Sequence, residues 1–228
     1  DVSNFSIIKY AENEFIRRPR YQPDDPMVDV QCSLNSVKAT SAWDFWDISD
    51  GDIPDGRNVL LASVDTGVDY THPDLQANSW INQAEIPEFM AETGLDDNGD
   101  GDVDASEVVL WMNVNNIGDL NGDGELNLRD AVSDGSPFED GVDSDGNGYI
   151  DDLLGWDSSG YYGTDDNDPF PKEDVANNST WAHGTHVAGI LAASTDNDLG
   201  MASTAYNAKI ISVKCSRENQ SGEPGISD

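Results

Sequence analysis

The sequence predicts an α/β fold in which a parallel sheet is flanked by helices, and three short segments support this prediction. The apolar run NVLLASVD at residues 58–65 ends at an acidic side chain and is typical of a buried strand in a parallel sheet. A second run, AKIISVKC at residues 208–215, predicts another strand, and HGTHVAGILAAS at residues 183–194 predicts a helix between them. The order strand, helix, strand is typical of layered folds with parallel sheets. Because reacting groups in such sheets gather at the carboxyl ends of strands, Asp65 lies where a functional side chain is expected.

The composition limits what the chain can bind. It has 228 residues, of which 37% are hydrophobic, so it can form one full-sized domain with a core. Its 45 acidic side chains face 11 lysines and arginines, and the net charge of −34 argues against binding to nucleic acid or to anionic membranes. No stretch approaches the roughly 18 apolar residues that a membrane span requires. Cys32 and Cys215 are too few for a disulfide framework, and we expect two small buried thiols.

A short helix is predicted upstream of the first strand, at residues 40–48. Trp43 and Trp46 lie on or near one face of that helix, and we expect both indoles to pack in the core. The segment 47–57 is rich in turn-forming residues and predicts the connection to the strand.

The acidic residues are concentrated between residues 96 and 157, where 18 Asp and Glu accompany a single cation, Arg129. Three segments of this stretch align, and they begin at Asp96, Asp119 and Asp143, which are 23 and 24 residues apart. A calcium loop of the EF-hand type needs oxygen ligands at positions 1, 3, 5 and 12, a backbone carbonyl at position 7 and glycine at position 6. The first segment fits at each of these positions, and its expected ligands are Asp96, Asn98, Asp100, Asp102 and Glu107.

The other two segments differ at the closing position. The second ends in the shorter Asp and resembles the calcium loop of dockerin modules; its expected ligands are Asp119, Asn121, Asp123, Glu125 and Asp130. The third has Leu154 at position 12, so it must close through Asp151 or Asp152. Its expected ligands are Asp143, Asp145, Asn147, Tyr149 and Asp151. Three acidic turns without metal are the alternative, but carboxylates spaced this closely would repel one another, so we predict Ca²⁺ as the cofactor.

Two longer motifs resemble the signatures of the subtilisin-like serine proteases, or subtilases. SVDTGVDYTHPDL at residues 63–75 resembles the Asp motif of that family, and HGTHVAGILAA at residues 183–193 resembles its His motif, in the family's chain order. Further segments extend the resemblance to roughly residues 20–228. QPDDPMVDVQCSLNSVKATSAWD resembles the start of a mature subtilase, and NAKIISVKC resembles the strand after the His helix. WINQAEIP and GVDSDGNGYIDDLLGWD resemble the stretches before and within a calcium-binding loop of many members.

The motif residues suit nucleophilic catalysis. A serine hydroxyl is a poor nucleophile until a base takes its proton, and an imidazole with a near-neutral pKa suits that task. A carboxylate beside the imidazole fixes its tautomer and stabilises the imidazolium. The resemblance implies that His183 is the base and Asp65 its orienting acid. It also implies that His186 is a hydrogen-bonded core histidine, that His72 is structural, and that Asp74 corresponds to a residue that binds calcium in some members. For Asp74 a surface acid in a turn is the alternative.

The Ser motif of the family, Gly-Thr-Ser-Met-Ala, and the Asn of its oxyanion hole do not occur in the sequence. The resemblance therefore implies that residues 21–228 are the N-terminal part of a catalytic domain. YAENEFIRRPR at residues 10–20 resembles the tail of an inhibitory propeptide, so we expect residues 1–20 to be that tail. The resemblance also implies a calcium-binding insertion at about residues 88–157 and a nucleophile beyond residue 228.

The implied protein is a secreted, calcium-stabilised endopeptidase that acts on protein or peptide substrates and is inhibited by its own propeptide. The chain as given is expected to be inactive. A non-catalytic, dockerin-like calcium-binding adhesion module and a degenerate subtilase remain alternatives, although the Asp65 and His183 motifs have no role in a binding module.

Overall fold

The computed structural model describes residues 21–46, 48, 54, 59–90, 92–160, 165–172, 181–206 and 208–216. The expected propeptide tail at residues 1–20 and most of the predicted connection at 47–57 lie outside the described residues. Among the described helices, none is both long and apolar enough to cross a membrane.

In the described part of the chain, four strands form a single sheet: β1 (Leu60–Asp65), β2 (Gly155–Ser158), β3 (Asp165–Asp166) and β4 (Lys209–Lys214). Their order across the sheet is β1-β4-β2-β3; β4 is parallel to both β1 and β2, whereas β3 is antiparallel to β2. The described helices are α1 (Cys32–Val37), α2 (Ala39–Trp43), α3 (Ala105–Val114), α4 (Leu128–Ala131) and α5 (His183–Ala192). The predicted α/β fold, a mainly parallel sheet flanked by helices, is confirmed.

The strand β1 is less buried than the sequence predicts. Val64 is 61% exposed and Leu60 is 45% exposed, whereas Ser63 is buried. Successive side chains of a strand point to opposite faces of the sheet, and Leu60 and Val64 lie on the face of β1 that meets solvent. The expectation of a buried strand is therefore wrong for β1. It holds better for β4, which lies between β1 and β2 and buries every second residue from Ile210 to Lys214.

The helix α5 covers the inner face of β1 and β4. Ala188 and Ala192 lie one helical turn apart, are fully buried and pack with Ile210 of β4. Side chains this small let the helix axis approach the sheet closely, which fixes where the first residue of α5 lies relative to the end of β1.

The acidic stretch surrounds an apolar core of its own. The largest buried cluster among the described residues draws on α3, α4 and the loops around them, and it includes Met90, Val108, Met112, Leu128 and Phe138. Burial of this apolar surface is the favourable term that holds the acidic segments in a compact arrangement.

Two expectations for the N-terminal region and the cysteines need correction. Trp43 is buried and packs edge-on against Tyr206, with ring centroids 5.6 Å apart, but Trp46 is 40% exposed because it follows the last residue of α2. Cys215 is buried as expected, whereas Cys32 is exposed at the first residue of α1.

Candidate active site and acidic loops

The carboxyl end of β1 and the start of α5 bring Asp65 and His183 together. The Nδ1 atom of His183 lies 2.7 Å from Oδ1 and 2.9 Å from Oδ2 of Asp65. The carboxylate is the more buried partner, with a side chain that is 17% exposed against 63% for the imidazole. With its proton on Nδ1, the imidazole donates to the carboxylate and keeps Nε2 as a proton acceptor. Such a pair can act as a general base whose tautomer is fixed by an acid.

Two glycines permit this close approach of helix and strand. Gly67 has a φ of 98°, and a Cβ there would lie 2.6 Å from the carbonyl oxygen of Pro169. At Gly184 a Cβ would collide with the carbonyl oxygen of Gly67 and come within 3.1 Å of the Asp65 Cβ. Any larger residue at Gly184 would therefore push α5 away from β1.

The other two histidines take different positions. His186 is exposed on α5, so the expectation of a core histidine is wrong; its side chain lies on the face of the helix turned away from the sheet. His72 accepts the backbone N–H of Asp74 at Nδ1, at 3.1 Å, which agrees with a structural role in that turn. Asp74 is 3% exposed, and its carboxylate accepts donors from Asn197 and Met201, so it is not a surface acid.

A buried ion pair beside these residues was not predicted from the sequence. The Nζ atom of Lys214 lies 3.0 Å from Oδ2 of Asp157, and the two side chains are 5% and 1% exposed. Lys214 is in register with Asp65 of β1 and with Asp157 of β2, so the three side chains leave the same face of the sheet. Burial raises the pKa of Asp157, while hydrogen bonds from Ser159 and the charge of Lys214 oppose that rise. The sequence feature that could have indicated this ion pair was a charged residue at the end of each apolar run.

The first two acidic loops share one hydrogen-bond pattern. In the first, Glu107 at position 12 accepts the N–H groups of positions 2 and 3, at 3.0 and 3.1 Å. In the second, Asp130 at position 12 accepts the same two groups, at 2.6 and 3.3 Å. Each of these carboxylates also belongs to the capping box of the following helix, α3 or α4. One side chain thus closes the loop and starts the helix.

The third loop is closed from outside its own segment. Its position 12, Leu154, is 3% exposed and belongs to the apolar core, so it offers no oxygen. The N–H groups of positions 2 and 3 donate instead to Oε1 of Glu85, at 2.9 and 3.0 Å. Glu85 ends the short 3-10 turn Gln83–Glu85 and lies 59 residues before Ser144, which occupies position 2. It takes the place that position 12 has in the other loops.

Glu85 also belongs to a cluster of carboxylates with Asp145 and Asp152. One oxygen from each of the three lies within 4.8 Å of the others. Glu85 is 2% exposed, and its Oε2 atom has no hydrogen-bond partner among the described residues. Burial raises the pKa of Glu85 and of Asp152, as expected for acids held together without a compensating charge.

The structure places Asp151, an expected ligand, apart from this cluster. Its carboxylate accepts the N–H groups of Asp140 and Gly141, at 3.1 and 3.2 Å, and the residue has a φ of 56°. The acid that faces the third loop is Asp152. Sequence reasoning missed Glu85 because its position in the loop is set by tertiary contact; the available signal was an acid within the otherwise apolar or amide-rich segment WINQAEIP.

The remaining expected ligands lie along the exposed or half-buried rims of their loops. Asp96, Asp119 and Asp143 at position 1 each accept an N–H from the glycine at position 6. The others are Asn98, Asp100, Asp102, Asn121, Asp123, Glu125, Asn147 and Tyr149, whose ring contacts Trp156 with centroids 5.0 Å apart.

An Asp–His pair at the carboxyl end of a parallel strand is the arrangement found in hydrolases of the α/β class that use a catalytic triad. The family follows from sequence comparison. Residues 56–227 match the subtilase family, and the chain belongs to that family.

The chain is similar to several curated proteases. It is 26% identical over 207 residues to the extracellular basic protease of Dichelobacter nodosus, covering 91% of this chain and 25% of that protein. It is 25% identical over 215 residues to halolysin of Haloferax mediterranei, covering 94% and 25%. It is 31% identical over 165 residues to subtilisin-like protease 1 of Plasmodium falciparum, covering 72% and 15%. The chain thus spans about a quarter or less of the length of these relatives.

Proposed function

We propose that this subtilase is a serine endopeptidase whose triad consists of Asp65, His183 and a serine outside residues 1–228. The observation that supports it most directly is the contact of 2.7 Å between His183 Nδ1 and Asp65 Oδ1. The imidazole is exposed, so a substrate and a nucleophile can reach its other nitrogen. The relatives are named as proteases, one of them as a thermophilic serine proteinase, which supports the same reaction class.

Each residue has a defined task in this proposal. Nε2 of His183 takes the proton of the serine hydroxyl as the oxygen attacks the scissile carbonyl, and later gives that proton to the leaving amine. Asp65 holds the proton of His183 on Nδ1 and stabilises the imidazolium that forms between the two steps. The substrate is a protein or peptide.

We also propose that calcium stabilises the acidic loops. The third loop fits a cation best, because the buried Oε2 of Glu85 lacks a partner and three carboxylates converge there. The donors are all oxygen atoms, as Ca²⁺ prefers. The third ion would be held by Glu85, Asp143, Asp145, Asn147, Asp152 and the carbonyl of Tyr149, and the first two by the loop residues closed by Glu107 and Asp130. The ion would supply positive charge between like-charged segments and would have no part in peptide hydrolysis.

Secretion and inhibition by a propeptide complete the proposal. Two relatives are named as extracellular proteases, which supports a secreted protein. Residues 1–20 are proposed as the tail of that propeptide on the basis of the sequence resemblance alone.

The test uses a form of the protein that carries the serine-bearing segment, together with a fluorophosphonate probe that labels activated serines. Wild-type protein should be labelled, and His183→Ala should abolish labelling because the serine is no longer activated. His186→Ala is the matched control, since it removes an exposed imidazole from the same helix, and it should be labelled normally. Labelling that persists in His183→Ala would mean that His183 is not the base. A folded wild-type protein that resists labelling would favour the degenerate subtilase or the binding module.

A further inference from the structure

Thr66 contacts both sides of the Asp65–His183 pair. Its hydroxyl donates to the carbonyl oxygen of Trp181, at 2.9 Å, and accepts the backbone N–H of Gly184, at 3.0 Å. Its own backbone N–H donates to Oδ1 of Asp65, at 2.7 Å. One residue thus binds the carboxylate and the main chain on both sides of His183.

The hydroxyl of Thr66 also caps the N-terminus of α5, which has no capping side chain of its own. The first N–H groups of a helix have no partner within the helix, and a side chain at the N-cap position usually accepts one of them. Here the N-cap residue is Ala182, which makes no side-chain cap. Thr66 supplies the missing acceptor from a position 118 residues earlier in the chain. The cap at the start of α5 therefore comes from the strand segment that carries Asp65.

The side chain is held rigidly in this position. Thr66 is 7% exposed, and its hydroxyl uses its single proton on one partner and a lone pair on the other. A shift of α5 along β1 would break both hydrogen bonds and leave a buried N–H and a buried carbonyl unpaired. The hydroxyl therefore links the position of His183 to that of Asp65.

We propose that Thr66 is a positioning residue for peptide hydrolysis, which sets the contact between Asp65 and His183 through its hydroxyl; this rests on the proposed serine peptidase function. Its hydroxyl binds the main chain at Trp181 and Gly184 and acts on the catalytic pair only through that main chain. Because a displacement of about 1 Å at a catalytic group can cost on the order of 100-fold in rate, loss of the hydroxyl should lower kcat by about 10- to 100-fold. Substrate binding is untouched, so KM should stay nearly unchanged.

The experiment compares Thr66→Val with Thr66→Ser in the form that carries the serine-bearing segment. Valine keeps the shape and the backbone N–H but loses the hydroxyl, and serine keeps the hydroxyl. We expect Thr66→Val to lose kcat at constant KM and to lose or shift the low-field NMR signal of the His183 Nδ1 proton. Thr66→Ser should restore both. The matched control is Thr40→Val, which makes the same change at a residue that is also 7% exposed and whose hydroxyl has no partner among the described residues. It should change neither readout.

Several outcomes would overturn the proposal. One is a folded Thr66→Val enzyme with wild-type kcat and a wild-type signal of the His183 Nδ1 proton. Another is a Thr66→Ser enzyme that is as impaired as Thr66→Val, because this would indicate that packing of the threonine methyl group, and not the hydroxyl, is what matters. If Thr66→Val does not fold, Thr66→Cys replaces it, since a thiol is a weaker donor and acceptor; wild-type kcat in that variant would equally overturn the proposal. Failure of the proposed function is distinct, because then wild-type enzyme is inactive or His183→Ala is fully active.

Discussion

The surroundings of Asp65 and His183 and the three acidic loops are stabilised in opposite ways. Around the Asp–His pair, small side chains on α5, backbone hydrogen bonds and glycines without a Cβ set the geometry, and the neighbouring Lys214–Asp157 ion pair is buried. In the loops, carboxylates accept backbone N–H groups at nearly every turn, and only Arg129 provides a positive charge in that stretch.

This difference predicts which of the two regions responds to ions in solution. The Asp–His geometry depends on apolar burial, on hydrogen bonds to the main chain and on a neighbouring ion pair that is buried, and ions in solution affect such interactions little. The loops bring like charges together, and Oε2 of Glu85, which has no hydrogen-bond partner in the described part of the chain, supports the proposal of a cation in the third loop. Calcium should therefore matter greatly to the loops and little to the pair.

The largest expected effect comes from the same substitution made in each region. Asp65→Asn should lower kcat by about 10⁴-fold, because an amide favours the wrong tautomer of His183. Asp96→Asn, at position 1 of the first loop, should leave kcat unchanged at saturating calcium. Steady-state kinetics on the form with the serine-bearing segment measures both. Equal losses of kcat in the two variants would show that the regions are not separate.

Removal of calcium should act almost only on the acidic stretch. Each occupied site stabilises the fold by about 2.7 kcal/mol at a hundredfold excess over Kd, and chelation also restores repulsion among the carboxylates. Limited proteolysis in EDTA should cleave first between residues 96 and 157, while β1 and α5 stay intact. Mass spectrometry of the fragments gives the order of cleavage. A cleavage pattern that EDTA does not change would contradict calcium binding by these loops.

The closure of the third loop can be tested with two substitutions that each remove one charge. Glu85→Gln should weaken calcium binding there by on the order of tenfold, since ligand charge sets the affinity of such sites. Asp151→Asn should change it little, because that carboxylate binds the N–H groups of residues 140 and 141. Calorimetric titration distinguishes the two. A larger loss in Asp151→Asn would restore the closure that the sequence suggested.

The smallest expected effect is a difference in thiol reactivity between the two cysteines, which reports on the immediate surroundings of each thiol. Cys215 is buried and lies directly after β4, with Sγ 3.4 Å from the carbonyl oxygen of Asp65. Burial raises the pKa of its thiol, and the charges of Asp65 and Asp157 add to that rise, so little thiolate is present. Cys32 is exposed and should react first with iodoacetamide. Cys215 should stay protected in EDTA, and rapid labelling of Cys215 after chelation would mean that the pair depends on the loops.

The features that could be predicted from the sequence are those that short, local motifs determine. The two strands and α5 follow from short patterns whose meaning does not depend on distant residues; the oxygen ligands of the first loop rest on a pattern of the same kind and stay a prediction. The exposure of Leu60 and Val64, the exposed ring of His186 and the Lys214–Asp157 pair depend on which face of an element meets another, and a single sequence does not show this. Glu85 was missed for the same reason, because it completes a loop that begins 58 residues later at Asp143 and touches it through Ser144 and Asp145.

The hydrogen bond from Gly184 to Thr66 joins residues 118 positions apart, which has a consequence for the time course of folding. Closing so long a loop of chain is entropically costly, and folds that depend on such distant pairings form slowly. The first two acidic loops close within about a dozen residues, a span that a flexible chain samples in about 10–100 ns. We therefore expect those two loops to form early and the contact between Asp65 and His183 to form among the last, so that the chain acquires its base only when the rest of the sheet is complete.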